Sequence, residues 1–585
     1  MNKSKTRGFA PQSEWNRINW HKVERIVFKL QKRIYRASQR GDVRVVRRLQ
    51  KTLMKSWSAK MLAVRKVTQQ NKGKKTAGID GKKALNGKQR LTLVANLKLY
   101  KKPQATRRVW IDKPGRNEKR PLGIPTIYDR ALQALAKQAL EPEWEAIFEP
   151  NSYGFRPGRS CHDAIVAIHN SINQMPKWVL DADIAKCFDK INHDALLKKL
   201  NTYPSMRRLI KGWLKAGVMD NGTFSPTTEG TPQGGIISPL LANIALHGME
   251  NRIKEYADNL PAKIYGKRPH RLKAISLIRY ADDFVIMHKS KEVVEECQRI
   301  INKWLEDIGL ELKPSKTKMV HTYKGFDFIG FNIRQYQVGK HHSKQGFKTL
   351  IKPSSKSVKE HYEKLVDIID RHKAAPQKAL ISRLKPAIRG WCNYNKSQVS
   401  KETFTDLDNM LWHKLKRWGY RRHPKKSKTW VNKKYWGTKV EKPKEPWEAP
   451  KIDNWVFMTD EENYLPKHVK TKIVRHVKVK ESRSPFDGDL MYWSNRMQKH
   501  PEMTSQKGFL LKRQKGKCAH CGLTFRDGDL LEMHHLIPRP QGGNDQFRNL
   551  ELLHLHCHDV KHRTKVSPKC QESNNDSSEL DDNPF

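Results

Sequence analysis

Apolar residues recur along this chain with two different periods, and the changes of period divide it. Between residue 11 and about residue 70, Trp15, Ile18, Ile26, Val27, Leu30 and Ile34 fall on one face of a helix set among basic residues. Gly41-Asp42 interrupts that run, and a second helix is expected after it. Thr76-Ala77-Gly78-Ile79-Asp80-Gly81 is rich in turn formers. From about 107 to 345, short β-type runs alternate with helical stretches and Gly/Pro turns, as in an α+β domain. The helical period returns from 355 to 420, where Val358, Tyr362, Leu365, Val366 and Ile369 recur together, as do Leu380, Leu384 and Ile388. Residues 423 to 505 lose this regularity. They are rich in Lys, Pro and Trp, with one alternating stretch at Ile473, Val474, Val477 and Val479, and they read as a basic linker or small module. Gln571 to Phe585 is acidic and polar and is expected to be disordered.

At 585 residues the chain exceeds a single core, which implies three or four domains. Lys and Arg number 115 against 59 acidic residues, a net charge of +56. Folding does not require such a surplus. Spread from end to end, it favours extended contact with nucleic acid over a merely solvated surface. Aromatic residues interleave with basic ones at Trp430, Lys433, Lys434, Tyr435 and Trp436, which suits base stacking beside phosphate contacts. No run of about 18 apolar residues is present, so a membrane partner is not expected. Met1-Asn2-Lys3-Ser4-Lys5 opens no apolar or transit-type segment, so the expected location is the cytoplasm, of a bacterium. Cys161, Cys187, Cys297 and Cys392 are scattered, as reduced thiols are, and Cys570 stands apart near the tail. Cys518, Cys521 and Cys557 cluster with histidines, which points to metal rather than disulfides.

Two segments carry carboxylate chemistry. Leu277-Ile278-Arg279-Tyr280-Ala281-Asp282-Asp283-Phe284-Val285-Ile286-Met287 reads as a β-hairpin with adjacent carboxylates at its tip. Trp178-Val179-Leu180-Asp181-Ala182-Asp183-Ile184 is a second apolar strand ending in acid. Phosphoryl transfer from a triphosphate uses two divalent ions about 3.5–4 Å apart, held by carboxylates. Asp183 and Asp282 are the expected bridging ligands, with Asp283 a third, and magnesium suits such oxygen donors.

Tyr280-Ala281-Asp282-Asp283 resembles the signature of reverse transcriptases, and Asp183-Ile184-Ala185-Lys186-Cys187-Phe188-Asp189 resembles their first catalytic-acid block. Pro232-Gln233-Gly234-Gly235-Ile236-Ile237-Ser238-Pro239 resembles the segment under primer and incoming nucleotide. Arg120-Pro121-Leu122-Gly123-Ile124-Pro125, Asn151-Ser152-Tyr153-Gly154-Phe155-Arg156-Pro157 and Phe326-Asp327-Phe328-Ile329-Gly330-Phe331 complete a set of blocks similar to the reverse transcriptases of group II introns. The resemblance implies a right-hand polymerase, with fingers and palm built on an antiparallel sheet. It also implies Asp183, Asp282 and Asp283 as metal-binding carboxylates, and Lys113 and Arg120 as cations holding the triphosphate. Gln233 would contact nucleotide or template. Phe188 would either abut the sugar 2′ position or serve as a core aromatic. Arg389-Gly390-Trp391-Cys392-Asn393-Tyr394-Asn395 resembles the same family's thumb, or maturase, region, with Trp391 and Tyr394 equally readable as core.

Near the C-terminal end, Cys518-Ala519-His520-Cys521 and His554-Leu555-His556-Cys557 have zinc-ligand spacing. Cys518, Cys521, His554 and Cys557 would hold structural zinc and staple a domain too small to fold on its core, with His556 the alternative fourth ligand. Between and after the pairs come Glu532-Met533-His534-His535-Leu536-Ile537-Pro538, Gly542-Gly543, Asn549-Leu550, His558 and Lys561-His562. This order resembles the HNH, or ββα-metal, nuclease. It implies His535 as general base, Asn549 as the residue orienting it, and His534 and His558 as ligands of magnesium or manganese. A zinc knuckle that binds DNA without cutting it is the plainer alternative.

The expected fold is α+β and multidomain: fingers and palm over 1–345, a helical thumb or maturase domain over 346–422, a basic DNA-binding region over 423–505, a zinc-stapled HNH domain over 506–570 and a disordered acidic tail over 571–585. The expected activity copies intron RNA into DNA at a nicked target, assists RNA splicing and cuts DNA. The expected partners are intron RNA, target DNA, template–primer duplex and deoxynucleoside triphosphates, in a ribonucleoprotein whose protein is a monomer or homodimer. The alternatives are an RNA-binding splicing factor with an unused polymerase site, and a retron- or defence-type reverse transcriptase.

Overall fold

Three helices of the N-terminal region each start on a side chain that accepts from one of their free amide groups. Asn19 accepts from Lys22 N–H at the start of Trp20–Gln39, Asp42 from Val45 N–H before Val43–Lys55, and Ser56 from Ala59 N–H before Trp57–Arg65. Gly41, at φ 71°, makes the break read from the sequence. The computed structural model describes residues 11–112, 119–441, 451–461, 463–501, 503–526 and 529–564. Lys113, the acidic tail and Cys570 lie outside the described residues. The three helices pack with the long helix Ile127–Glu145 around Trp15, Val27, Ile34, Leu53 and Leu135. One expectation fails on this face: Ile26 points outward and is 40% exposed, because the buried stripe of its helix runs through Val23, Val27 and Ile34.

Two four-stranded sheets follow. In the first, Thr106–Asp112 pairs antiparallel with Lys119–Ile124 and parallel with Val218–Asp220, which pairs with Thr223–Ser225. The second is wholly antiparallel, in the order Ser276–Tyr280, Asp283–His288, Trp178–Asp183, Lys318–His321. Its central strands are buried on both faces, which explains their unbroken apolar runs. A three-stranded sheet, Phe326–Phe328, Phe331–Gln337 and Phe347–Pro353, leads into helices Ser355–Arg371, Gln377–Asn395 and Lys401–Arg422. His361, Leu365 and Ile369 form the buried stripe of the first of these, with Val358, Tyr362 and Val366 half-buried beside it.

The core of the helical region does not stop at residue 422. Leu365, Leu384, Phe404 and Trp418 share one cluster with Tyr435, Trp436, Phe457 and Leu465. Tyr435 ends helix Lys428–Tyr435, Trp436 and Phe457 lie on the paired strands Trp436–Glu441 and Lys451–Phe457, and Leu465 follows them. Ile473 to Val479 form no strand. Val479 is buried, while Val474 and Val477 are exposed. The C-terminal module is a ββα unit: Leu531–His535 pairs antiparallel with Leu550–His554, and helix Leu555–Thr564 follows. The chain is thus a mixed α+β multidomain fold. Among the described residues no helix is long and apolar enough to cross a membrane.

Asp163, fully buried, ties the segment after the helical region to the palm. It accepts from Arg496 Nη2 (2.5 Å), Val479 N–H (2.8 Å) and Ser160 N–H (2.9 Å), and faces His476 Nε2 (3.1 Å). Burial alone would raise its pKa; His476, Arg496 and the Val479 amide more than reverse this and hold it well below the usual carboxylate range. A depressed native pKa stabilises above the ordinary carboxylate pKa and stops doing so as pH falls, so this attachment should weaken below about pH 4. Asp163→Asn is expected to loosen it at neutral pH by about 3–5 kcal/mol. Hydrogen exchange should show lost protection across residues 476–498, with the palm strands unchanged.

Candidate functional site

Asp183 and Asp283 stand directly opposite one another at the end of the palm sheet. Antiparallel pairing puts directly opposed side chains on the same face, about 4.5–5.5 Å apart at Cβ. Tyr280 and Asp283 close a turn of only two residues, Ala281 and Asp282, and Ala281 takes φ 59°. Asp282 O accepts from Ile184 N–H (3.2 Å), so the turn is stitched to the neighbouring strand end.

What holds this turn is buried and polar. The Arg279 guanidinium, 1% exposed, donates to Ala281 O (3.0 Å), Asn243 Oδ1 (3.2 Å) and Ser152 Oγ (2.8 Å). Asn243 Nδ2 donates to Gly154 O (2.8 Å). A Cβ on Gly154 would fall on the backbone of Ala281, so only glycine fits where that loop meets the turn. Behind it Arg156 donates twice to Glu145 (2.9 and 3.0 Å), with both side chains 1% exposed.

Burial and mutual repulsion act on the acids. Asp283 is pushed up to about 7 by burial, then by Asp282 and Asp183. Asp282 is raised by burial and Asp183. Lys316 Nζ is in direct contact with Asp183. Partial burial works to lower the Lys316 pKa, but contact with Asp183 and the charges of Asp283 and Asp282 keep it above its ordinary range. A site crowded with three carboxylates fits divalent cations.

The sequence blocks that begin at Arg120, Asn151 and Pro232 converge here. Lys186 at φ 44° turns the chain into Cys187–Lys190, and Phe188 on that turn meets Phe155 edge to face at 6.0 Å. Phe188 is half-buried, with part of its ring against the core. Gln233 Nε2 donates to both Asp189 oxygens at 3.3 Å. A Cβ on Gly234 would strike Gly123 O, and one on Gly230 would strike Asp189. Arg120 is exposed on its strand, and its charge reaches both Asp189 and Asp282.

In the C-terminal module, Cys518, Cys521, His554 and Cys557 bring one ligand atom each within 4.8 Å of all the others. His554 Nδ1 lies 3.4 Å from Cys521 Sγ and 4.0 Å from Cys557 Sγ, bracketing the edge of about 3.6 Å that tetrahedral zinc would impose. The donor set fits zinc. His556 is not in the group; its Nδ1 faces Glu24 instead, at 3.9 Å. A second set joins His534, His558 and His562, with His558 and His562 Nε2 3.0 Å apart. Burial first, then the neighbouring histidines, lower His534 to about 4 despite Glu551, so its ring is neutral and free to ligate. His535 Nε2 is 2.8 Å from Asp545 Oδ1, which also accepts from Arg539 Nη2 at 2.8 Å. The side-chain hydrogen bonds of Asn549 go to the loop after His535 and not to its ring. Asn549 braces that loop, accepting from Ile537 N–H (2.8 Å) and donating to Ile537 O (3.0 Å) and Asn544 O (2.9 Å).

Four family models match in chain order: the N-terminal domain of reverse transcriptase over residues 15–97, reverse transcriptase (RNA-dependent DNA polymerase) over 111–333, the group II intron maturase-specific domain over 358–436 and HNH endonuclease over 518–564. Protein YkfC of Escherichia coli (strain K12) is 32% identical over 326 residues, covering 50% of this chain and 84% of that protein. Group II intron-encoded protein LtrA of Lactococcus lactis subsp. cremoris is 32% identical over 295 residues, 40% of this chain. The chain belongs to the group II intron-encoded reverse transcriptase family. The match spans 48% of LtrA, about half the length of that relative. Maturase-like protein 1 of Euglena gracilis is 28% identical over 385 residues, 64% of this chain and 76% of that protein.

In this family member the maturase match ends at residue 436, inside the core that runs on to Leu465. Four side chains at the sites escaped sequence reasoning. Lys316 carries no signal beyond charge and Asp545 lies in a polar loop, whereas Asp189 closes the Asp183–Asp189 block without a role of its own. His562 was legible, since His558 and His562 are four apart and share a helix face. The purified protein is expected to carry zinc at one equivalent by elemental analysis. Cys518→Ala should lose it and expose the C-terminal module to protease, whereas His556→Ala should retain it.

Proposed function

We propose that this group II intron-encoded protein is an RNA-directed DNA polymerase, a splicing maturase and an HNH DNA endonuclease, working with its intron RNA as a ribonucleoprotein in the bacterial cytoplasm. The observation that carries the polymerase reading is the pairing of Asp183 with Asp283 beside the Asp282 turn, where burial and mutual repulsion act on the acids. Magnesium held by these carboxylates would activate the primer 3′ hydroxyl and offset charge on the triphosphate. Lys316 would leave Asp183 as the metals bind. Arg120, with Lys113, would hold the triphosphate, and Gln233 would contact nucleotide or template while bracing Asp189. The half-exposed ring of Phe188, backed by Phe155, would lie against the sugar 2′ position and exclude ribonucleotides.

In the nuclease module, His535 would take the proton from the attacking water, its ring oriented by Asp545. His534, His558 and His562 would hold magnesium or manganese, which would stabilise the leaving oxygen. Asn549 would set the position of His535 through the loop it braces. Cys518, Cys521, His554 and Cys557 would hold structural zinc. The nicked target strand would then prime copying of the intron RNA. The helical region and its basic extension would grip template–primer duplex, intron RNA and target DNA.

Extension of a DNA primer on an RNA template in magnesium tests the central reading; absence of DNA synthesis by the intact protein would sink it. Asp282→Ala should abolish extension while target nicking persists. His535→Ala should slow nicking about 10²–10⁴-fold and leave extension of a supplied primer unchanged.

A further inference from the structure

Glu24 is the one acidic residue of the basic helix Trp20–Gln39, and it is 5% exposed. A carboxylate so withdrawn from water must be met by cations. Arg65, from the same helical unit, is in direct contact with it. Two further contacts come from the far end of the chain, the Arg526 guanidinium and the His556 ring, which burial keeps neutral. Arg526 Nη2 lies 3.5 Å from Glu24 Oε2, and His556 Nδ1 3.9 Å from Oε1. The Arg526 guanidinium also sits 4.6 Å over the ring of Phe28, one turn along the same helix.

Both of these residues lead directly to the zinc ligands. Arg526 N–H donates to Asp529 Oδ2 (2.6 Å), and the same carboxylate oxygen meets His554 Nε2 at 3.3 Å. The His556 ring stacks on His554 with centroids 5.1 Å apart and planes 16° from parallel. Leu555 and Val560 line a narrow cleft against Trp15 and Trp20. The nuclease module has a second attachment at its entry, where helix Leu490–Gln498 lies on the palm through Arg496 to Asp163 and through Trp493 against Gly158. One attachment would let the module swing; two separated ones set its orientation.

We propose that Glu24 and Phe28 form a docking joint for the zinc knuckle, fixing the nuclease centre relative to the polymerase centre so that a nicked DNA end passes to the palm without release. The hand-over rests on the function proposed above; the docking does not. The joint is selective by charge, since a lone carboxylate within a basic helix accepts a cationic face and no other.

The test uses the full chain carrying Phe28→Ala or Arg526→Glu, neither of which touches the reacting centres. Hydrogen exchange should rise about tenfold in the docked face of Trp20–Gln39 and in Leu555–Thr564, while Leu531–His535 stays protected. With excess unlabelled duplex as a trap, extension from the protein's own nick should fall about tenfold, and nicking alone and extension of a supplied primer should each stay within about twofold. Unchanged exchange in both segments overturns the docking joint. Raised exchange with undiminished own-nick extension overturns the hand-over. Wild-type protein that neither nicks nor copies would defeat the proposed function instead, and the exchange result would still decide the joint.

Discussion

The register of two antiparallel strands is the constraint on which the polymerase centre rests. Because side chains alternate between sheet faces, a slip of one residue between Trp178–Asp183 and Asp283–His288 would send Asp183 and Asp283 to opposite sides. Three acids at one strand end repel each other and lose hydration, so the arrangement opposes itself electrostatically. It is held from behind. The buried Arg279 guanidinium grips the turn, Gly154 lets a second loop lie on it, and Arg156 with Glu145 makes that loop rigid. Such buried charge is weak evidence of net stability but strong evidence of a fixed geometry, since removing either partner leaves an uncompensated ion.

The two centres of the chain solve the same problem in different ways. The palm is large enough to bury its strands on both faces and can place carboxylates by packing alone. The nuclease module has a core of a few residues, among them Leu510, Phe525 and Leu552. A unit that small needs a covalent or metal staple. Its Cys518, Cys521, His554 and Cys557 cluster is separate from the cluster of His534, His558 and His562.

Chemistry with fixed spacing was legible in the sequence, and contacts across long separations were not. Tyr280-Ala281-Asp282-Asp283 reads as a hairpin tip because apolar strands flank it, and the paired cysteines read as zinc ligands because their spacing suits a single ion. His554 could not be separated from His556 by spacing, since both fall within reach; the ring facing Glu24 decides it. Ile26 was misassigned because a helical period fixes a stripe only to within about one residue on either side. The irregular stretch after residue 422 concealed a continuous core, because its apolar residues, Tyr435, Trp436, Phe457 and Leu465, are too sparse to show a period. Asp545 and Lys316 depend on loops whose approach to the sites only the folded chain reveals.

Glu24 meets Arg526 across 502 residues of chain. A ribosome adding about 5–20 residues per second needs roughly half a minute to two minutes to make that stretch. Until then Arg65 is the only one of its three partners yet made, so the N-terminal helices can mature with their carboxylate already neutralised. The C-terminal module is synthesised after the surface it meets. Biogenesis therefore has a direction: a cleaving centre that reaches its seat only after the copying centre is built does not stand ready ahead of it.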